Sequence, residues 1–325
     1  MARTKQPAVV VTGVSGNLGR TIARILHRTE RVIGVDRRPF PRRPKDVEHH
    51  QIDIRRRRAA DIFRRQPVKA LVHLGIIYDP RLPEKKRQAF NVLGTQQLLE
   101  LCARHKVQKV VCLSSATVYG PEPDNPNFLT EDAPLKAAIR HGEIRDLVEV
   151  DMYSQSFFWR YPKIETVILR PVHVVGPTIQ NTASKYLRHR RPWTLAGFDP
   201  LLQLIHQEDV ARAIVMALKP GVKGIYNVTG PGEAPLSRVL AYLGNKPRLV
   251  PHFTAKKVLE KLWALRLTDF PPQELDHLRY LCVVDGSSFR QSLGYEPRYS
   301  LMDTLSSVRS RNLESPAPKQ ADNWI

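Results

Sequence analysis

The 325-residue sequence predicts an α/β protein: a doubly wound parallel sheet (a Rossmann fold) with a smaller C-terminal lobe. Two observations carry this prediction. Apolar strand patterns alternate with helical patterns through the first half of the chain, which is typical of a parallel sheet with right-handed crossovers. The first strand also runs directly into a glycine-rich turn and a helix, an arrangement that presents backbone amides to an anion.

The glycine-rich turn follows the β-branched run at residues 9–11 and has the spacing Gly13-x-x-Gly16-x-x-Gly19. This spacing is a relative of the dinucleotide fingerprint Gly-x-Gly-x-x-Gly. Glycine adopts positive φ without strain, and because it has no Cβ it lets a phosphate approach the backbone. The turn therefore predicts a nucleotide-binding site at the start of the first helix.

The second strand, residues 31–35, ends in Asp36. Folds of this type place an acid at this distance from the glycine turn, where it binds the adenosine ribose hydroxyls. The alternative is an ordinary strand-end carboxylate that caps a turn. Arg37 and Arg38 follow at once and would suit a 2′-phosphate, so NAD is predicted with NADP left open.

The remaining core elements follow in order. Further strands are predicted at 50–54, 68–75, 109–113, 167–171 and 224–229, and helices at 17–29, 57–65, 89–106, 237–243, 255–265 and 273–281. His73, at the end of a buried strand, is interpreted as a core residue rather than an acid or base. The core is expected to comprise residues 1–176 with a return segment at about 205–230, the lobe 177–204 and 231–311, and a loose tail 312–325.

The formal net charge is +20, and residues 1–70 alone hold 18 Lys and Arg against 6 Asp and Glu. We interpret this excess as a solvated face, because no zinc-finger spacing or aromatic-basic motif accompanies it; nucleic acid is not the predicted partner. No apolar run of about 18 residues predicts a membrane span, and no membrane partner is expected. The three cysteines are scattered, so no metal site is predicted. Few cysteines together with the lack of an apolar leader predict a cytoplasmic protein.

Taken together, these motifs resemble the extended short-chain dehydrogenase/reductases of the NAD-dependent epimerase/dehydratase kind, and most of all those that are UDP-glucose 4-epimerase-like. The matching pieces span nearly the whole chain in the family's order. They are residues 12–19, Asp36, 53–54, 73–75, 91–95, 114–120, 169–171, 176–177, 205–213 and 293–297.

The resemblance implies NAD as cofactor, a nucleotide sugar or similar anionic small molecule as substrate, and a homodimer. It implies cofactor contacts by Gly13, Ser15, Gly16, Asn17, Leu18, Gly19, Asp36, Arg37, Asp53, Ile54, Leu74, Gly75, Asn91 and Pro171. Ser115 stands where the family keeps its catalytic Ser or Thr. A basic cluster falls in the region where basic residues of the family bind the nucleotide diphosphate of the substrate. Its members are Lys185, Arg188, His189, Arg190 and Arg191. The alternative is that they form one face of an exposed amphipathic helix.

One departure concerns the catalytic Tyr-x-x-x-Lys pair of the family. That spacing places both side chains on one helix face, where the ammonium lowers the phenol pKa so that Tyr can take a proton. The sequence contains no Tyr between Tyr119 and Tyr153, and Tyr153 is followed four residues later by Phe157. Tyr242 and Lys246 have the spacing, but Gly244 lies between them and Pro247 follows, so we interpret them as a chance match.

Three explanations for this departure stay open. The chain binds NAD(P) but has lost dehydrogenase-type catalysis, or it senses redox state or holds a partner through the cofactor fold. Alternatively, other groups supply the base, with candidates at His141, Glu143, Asp146 and Tyr119. The sequence therefore leaves enzymatic activity undecided.

Overall fold

The computed structural model describes residues 6–140, 142–268 and 270–309. Its strands are β1 (Ala8–Thr12), β2 (Arg31–Asp36), β3 (Glu48–Gln51), β4 (Val68–His73), β5 (Lys109–Leu113), β6 (Glu165–Pro171), β7 (His173–Val175), β8 (Trp193–Leu195), β9 (Leu201–His206), β10 (Gly224–Val228), β11 (Glu233–Pro235) and β12 (Arg248–Val250). Its helices are α1 (Asn17–Leu26), α2 (Arg57–Arg65), α3 (Glu84–Gln88), α4 (Gly94–Arg104), α5 (Ala137–Arg140), α6 (Arg145–Arg160), α7 (Thr182–Arg188), α8 (Gln207–Ala217), α9 (Leu236–Tyr242), α10 (His252–Ala264), α11 (Ser287–Leu293) and α12 (Leu301–Arg309).

The doubly wound sheet predicted from the alternating pattern is confirmed. Seven strands lie in the order β10-β6-β5-β4-β1-β2-β3, and the pairs from β3 through β6 are parallel. β1 lies inside the sheet between β4 and β2, and all five of its residues are apolar or β-branched and buried. The carboxyl ends of the parallel strands therefore share one edge, where ligands bind in such folds.

The described chain forms two compact units. The first comprises the described parts of Met1–Val118, Gly142–Arg170 and Val210–Tyr226, and its core is the apolar cluster between the sheet and its helices. The second comprises the described parts of Tyr119–His141, Pro171–Asp209 and Asn227–Ile325. It holds a three-stranded sheet, β11-β9-β7, a two-stranded ladder, β12-β8, and its own core of mainly Leu and Val side chains.

Local side-chain bonds explain where elements differ from the prediction. β3 ends at Gln51 rather than at residue 54, because the Asp53 carboxylate accepts a bond from the Arg55 amide and starts a turn into α2. The helix predicted at 89–106 begins with a π-helical turn, Ala89–Leu93, and continues as α4. In that turn Asn91 bonds both the amide and the carbonyl of Ile77, and such turns often mark functional sites.

His73 is a core residue, as interpreted from the sequence. It is 1% exposed, and its two ring nitrogens lie 2.6 Å from Thr12 Oγ1 and 2.8 Å from Thr95 Oγ1. Burial lowers the pKa of His73 from 6.5 to about 4. His206, stacked on the Tyr299 ring at 3.7 Å, also has its pKa lowered by burial to about 4.

We expect stability to fall as the pH drops from about 6.5 to about 4, because both histidines bind a proton in the unfolded chain that they do not bind in the folded one. Each contributes a slope of about 1.4 kcal/mol per pH unit inside that window, and nothing above it. Urea unfolding at about pH 7.5 and at about pH 5 measures the difference.

A His73→Gln variant should be less stable at both pH values, yet should lose less stability between them. His206→Gln should flatten the same slope independently, because the two histidines belong to different units. A pH dependence that is the same in wild type and in both variants would show that neither histidine titrates as its burial requires.

Candidate functional site

The glycine turn brings three backbone segments into close contact. Gly13 has a φ of +70°, and a Cβ placed on it would lie 2.7 Å from the Leu74 carbonyl oxygen. A Cβ on Gly19 would lie 2.3 Å from the Gly13 oxygen, so only glycine lets α1 begin this close to the turn. Gly16 is the N-cap of α1 and has no side chain to bond the first-turn amides, which leaves this positive helix end suited to an anion.

Asp36 is fixed against the glycine turn. It is 7% exposed, and its carboxylate accepts a bond from the Ser15 amide at 3.1 Å. The same carboxylate accepts bonds from the Arg38 amide at 2.9 Å and from the Arg38 guanidinium at 3.2 Å. The Ser15 hydroxyl donates to the Arg38 carbonyl oxygen, so β2 and the turn form one bonded unit. Arg38 therefore neutralises the carboxylate that the sequence predicts at the ribose.

The other predicted cofactor residues lie around this edge of the sheet. Arg37 is exposed, and its guanidinium lies 5.4 Å from the centre of the Phe90 ring. Asp53 is paired with the Arg55 guanidinium, and this hydrogen bond lowers the pKa of the Asp53 carboxyl. The remaining predicted residues differ in how far they are exposed. Asn17 is exposed, whereas Leu18, Leu74 and Gly75 are half-buried. Ile54 and Asn91 are buried, and Pro171 is the last residue of β6.

A buried polar cluster lies at the start of α6. The Asp146 side chain is 3% exposed and accepts a bond from Asn91 Nδ2. Its other oxygen, Oδ1, lies 3.7 Å from Nε of the buried Arg87, and within the described residues neither of these two atoms has a hydrogen-bond partner. Burial raises the pKa of the Asp146 carboxyl in spite of both neighbours. Asp146, one of the candidate bases, is therefore a buried side chain.

The other candidate catalytic groups are differently placed. Ser115 lies after β5, and its hydroxyl oxygen accepts bonds from the amide and the hydroxyl of Thr117. The Tyr119 side chain is buried and donates to Asn227 Oδ1 at 2.8 Å, which indicates a structural role. His141 lies outside the described residues, and the side chain of Glu143 is not described.

Tyr153 of α6 does not have the surroundings of an activated phenol. Its hydroxyl donates to Glu100 at 2.8 Å, and burial raises its pKa rather than lowering it. Phe157, four residues later, is 1% exposed in the core. The loss of the Tyr-x-x-x-Lys pair stays a prediction from the sequence, and the contacts of Tyr153 agree with it.

The second unit contains a basic cavity of about 1170 Å³. Among the described residues that line it none is acidic, and the cationic or imidazole side chains are Lys185, Arg188, His189, Arg190, Arg191, Lys246 and Arg248. Its apolar wall includes Trp193 and Phe270. A cavity with this charge and this wall suits an anionic ligand that also carries a ring.

The sequence missed Lys246 and Arg248. β8 and β12 pair in parallel, and the Lys246 amide donates to the Arg190 carbonyl oxygen at 2.8 Å, which places the two basic segments side by side. The only local signal was two basic residues around Pro247, which does not predict a partner strand. Arg188 donates to the backbone carbonyl oxygens of Gly176, Ile179 and Val308, so its guanidinium supports the cavity wall.

Comparison with known proteins identifies a family for the chain. The family model described as NAD dependent epimerase/dehydratase family matches residues 9–229. An uncharacterized protein of Mycobacterium tuberculosis is 30% identical over 307 residues, 91% of this chain and 82% of its own.

Solved structures share the fold. A UDP-glucuronic acid 4-epimerase from Bacillus cereus, in complex with UDP-glucuronic acid and NAD, superposes with a TM-score of 0.72 at 18% identity, covering 94% of this chain and 98% of that one. A UDP-glucose 4-epimerase from Thermotoga maritima, with UDP-glucose, has a TM-score of 0.72 at 17% identity, covering 93% and 98%.

Proposed function

The chain belongs to the NAD-dependent epimerase/dehydratase family, and from this premise we propose that it is an oxidoreductase that acts on a nucleotide sugar. The observation that carries the proposal is the bonded unit of glycine turn and Asp36. The cofactor of the family is NAD, which confirms the cofactor predicted from the sequence at the level of the family.

The residues around the glycine turn fit this cofactor. The first-turn amides of α1 would hold the pyrophosphate, since Gly16 leaves them uncapped by a side chain and Gly13 and Gly19 keep the backbone open. Asp36 would accept the adenosine ribose hydroxyls once Arg38 turns away from it. The freed Arg38 would also meet a 2′-phosphate, so we keep NADP as an open second cofactor.

Asp146 is the base that the described contacts support. Bound NAD would supply a hydride acceptor for oxidation of a sugar hydroxyl. Asp146 Oδ1, buried and without a hydrogen-bond donor among the described residues, would take the hydroxyl proton. Arg87 would then limit the pKa rise that burial imposes on Asp146, and Asn91 Nδ2 would hold its other oxygen in place.

The basic cavity of the second unit would hold the nucleotide diphosphate. A guanidinium group of the lining can donate two parallel hydrogen bonds to phosphate oxygens, and the aromatic side chains of the wall can stack on a nucleotide base. The epimerases among the similar structures were solved with UDP-sugars, which supports this class of substrate.

A second candidate is a non-catalytic NAD(P)-binding redox sensor or scaffold. The contacts of Tyr153 favour it, because that phenol is bonded to Glu100 and has a raised pKa. Both candidates bind the cofactor, so cofactor binding does not separate them.

Turnover of UDP-glucose and UDP-glucuronic acid, followed by sugar analysis and by the absorbance of reduced nicotinamide, separates the two candidates. We expect product with the wild type and at least a hundredfold lower rate with Asp146→Asn, at unchanged NAD affinity. Tyr153→Phe is the control and should keep its rate. Tight NAD binding without turnover of any nucleotide sugar would favour the sensor.

A further inference from the structure

One segment of the second unit exposes an unusual number of large apolar side chains. Leu249, Phe253, Val258, Leu265 and Leu267 are 71%, 68%, 44%, 67% and 70% exposed. Within the described chain they are five of the fourteen large hydrophobic side chains that lie exposed. We call these five side chains the α10 patch. Exposed large apolar side chains that are concentrated in one segment of a folded protein often mark an interaction surface.

The α10 helix explains why these side chains are not part of the core. It buries Ala255 and Leu259 on one face, which the unit's core requires. Phe253 lies off that face, and the Lys257 ammonium lies 4.3 Å from the centre of its ring. An exposed phenyl group with a cation beside it is a pairing that suits a boundary between an apolar and a charged phase.

The turn after α10 exposes two more leucines. Arg266 has a φ of +59°, and the Leu267 amide donates to the Leu262 carbonyl oxygen at 2.8 Å. This bond closes the helix end with Arg266 between Leu265 and Leu267, which both remain exposed. The patch therefore ends in a turn in which the cationic side chain of Arg266 lies between two exposed leucines.

The patch is surrounded by positive charge. Between residues 246 and 267 the sequence holds a single acid, Glu260. The cations of this segment that do not line the basic cavity are Lys256, Lys257, Lys261 and Arg266. Exposed apolar side chains and cationic side chains therefore alternate along one segment of the chain.

We propose that the α10 patch is a peripheral docking surface for an anionic lipid bilayer. The apolar side chains enter the layer of acyl chains next to the head groups, and the surrounding cations meet the lipid phosphates. The two contributions act together, since neither a few apolar side chains nor a few charges alone hold a protein on a membrane. Among the described residues no helix is long and apolar enough to cross a bilayer, and docking of this kind needs none.

Sedimentation with vesicles tests the proposal without substrate or NAD. We expect the wild type to bind vesicles of phosphatidylglycerol and phosphatidylcholine at physiological ionic strength, and to bind pure phosphatidylcholine vesicles far less. The triple variant Phe253→Ser, Leu265→Ser, Leu267→Ser should lower the partition onto anionic vesicles by about tenfold or more. The triple variant Lys256→Glu, Lys257→Glu, Lys261→Glu should lower it similarly and remove its salt dependence.

The matched control is Met152→Ser with Trp159→Ser, which removes exposed apolar side chains from α6 instead. This control should bind vesicles as the wild type does, and thermal unfolding should show that all variants are folded. Failure of the wild type to bind anionic vesicles would overturn the proposal, as would an equal loss in the control. Concentration-dependent self-association that the serine variant abolishes would assign the patch to a second copy of the chain instead.

Discussion

Replacing Asp151 with asparagine is expected to lower the free energy of unfolding by about 3–5 kcal/mol. The Asp151 and Arg170 side chains are 0% and 1% exposed. Arg170 donates to Asp151 through Nε at 3.0 Å and through Nη2 at 2.7 Å. The carboxylate also accepts bonds from Ser114 and Gln155.

The reason for so large an effect is desolvation rather than the attraction between the two groups. Asparagine keeps the shape of Asp151 but takes the carboxylate charge away from the buried Arg170 guanidinium. The same bonds join β5, α6 and β6, since Ser114 follows β5 and Asp151 lies in α6. Loss of the carboxylate therefore loosens three elements of the first unit together.

Urea unfolding of Asp151→Asn measures this effect, and the thermal midpoint should fall by roughly 10 °C. Asp61→Asn is the control, because it breaks an exposed pair with Arg64 that is worth at most about 1 kcal/mol. The double variant Asp151→Leu, Arg170→Met should recover most of the loss by removing both charges. If Asp151→Asn had the same free energy of unfolding as Asp61→Asn, the Arg170 guanidinium would have to be solvated.

Much of the first unit could be predicted from the sequence because its signals are local. Apolar runs and turns placed β1, β2, β5 and the carboxyl edge of the sheet, and α2 was predicted with its observed bounds. β7, β8, β11 and β12 have only three residues each, too few to show a strand periodicity. They exist because distant segments supply their partners.

In the candidate site, too, the sequence predicts only what lies close together along the chain. The glycine turn and Asp36 follow from spacing, because they lie within one strand-helix-strand unit. The partners of Asp146 are 55 and 59 residues away in sequence, at Asn91 and Arg87. No pattern in a single sequence reports such a distant contact, so the sequence could not separate Asp146 from the other candidate bases.

Gly19→Ala is expected to weaken NAD binding by at least about a hundredfold, which corresponds to about 2.7 kcal/mol. The added Cβ would lie 2.3 Å from the Gly13 carbonyl oxygen and 2.7 Å from Val14 Cα. Both are backbone atoms, which cannot rotate away as the end of a side chain can. The backbone of the glycine turn would therefore have to move away from α1. The amides that we propose for the pyrophosphate would then no longer converge, and charge-assisted hydrogen bonds of about 1.5–3 kcal/mol each would be lost.

Calorimetric titration with NAD+ and NADP+ measures this loss, and Gly142→Ala is the matched control because a Cβ there has no atom within 4 Å. If Gly19→Ala does not fold, Asp36→Asn tests the same site with a smaller change. That variant keeps the side-chain volume, loses the charged acceptor of the Ser15 amide, and should bind NAD+ about tenfold or more weakly. Because Asp36→Asn also releases Arg38, its affinity for NADP+ should fall less. Folded variants with unchanged affinity for both cofactors would place the NAD site away from the glycine turn.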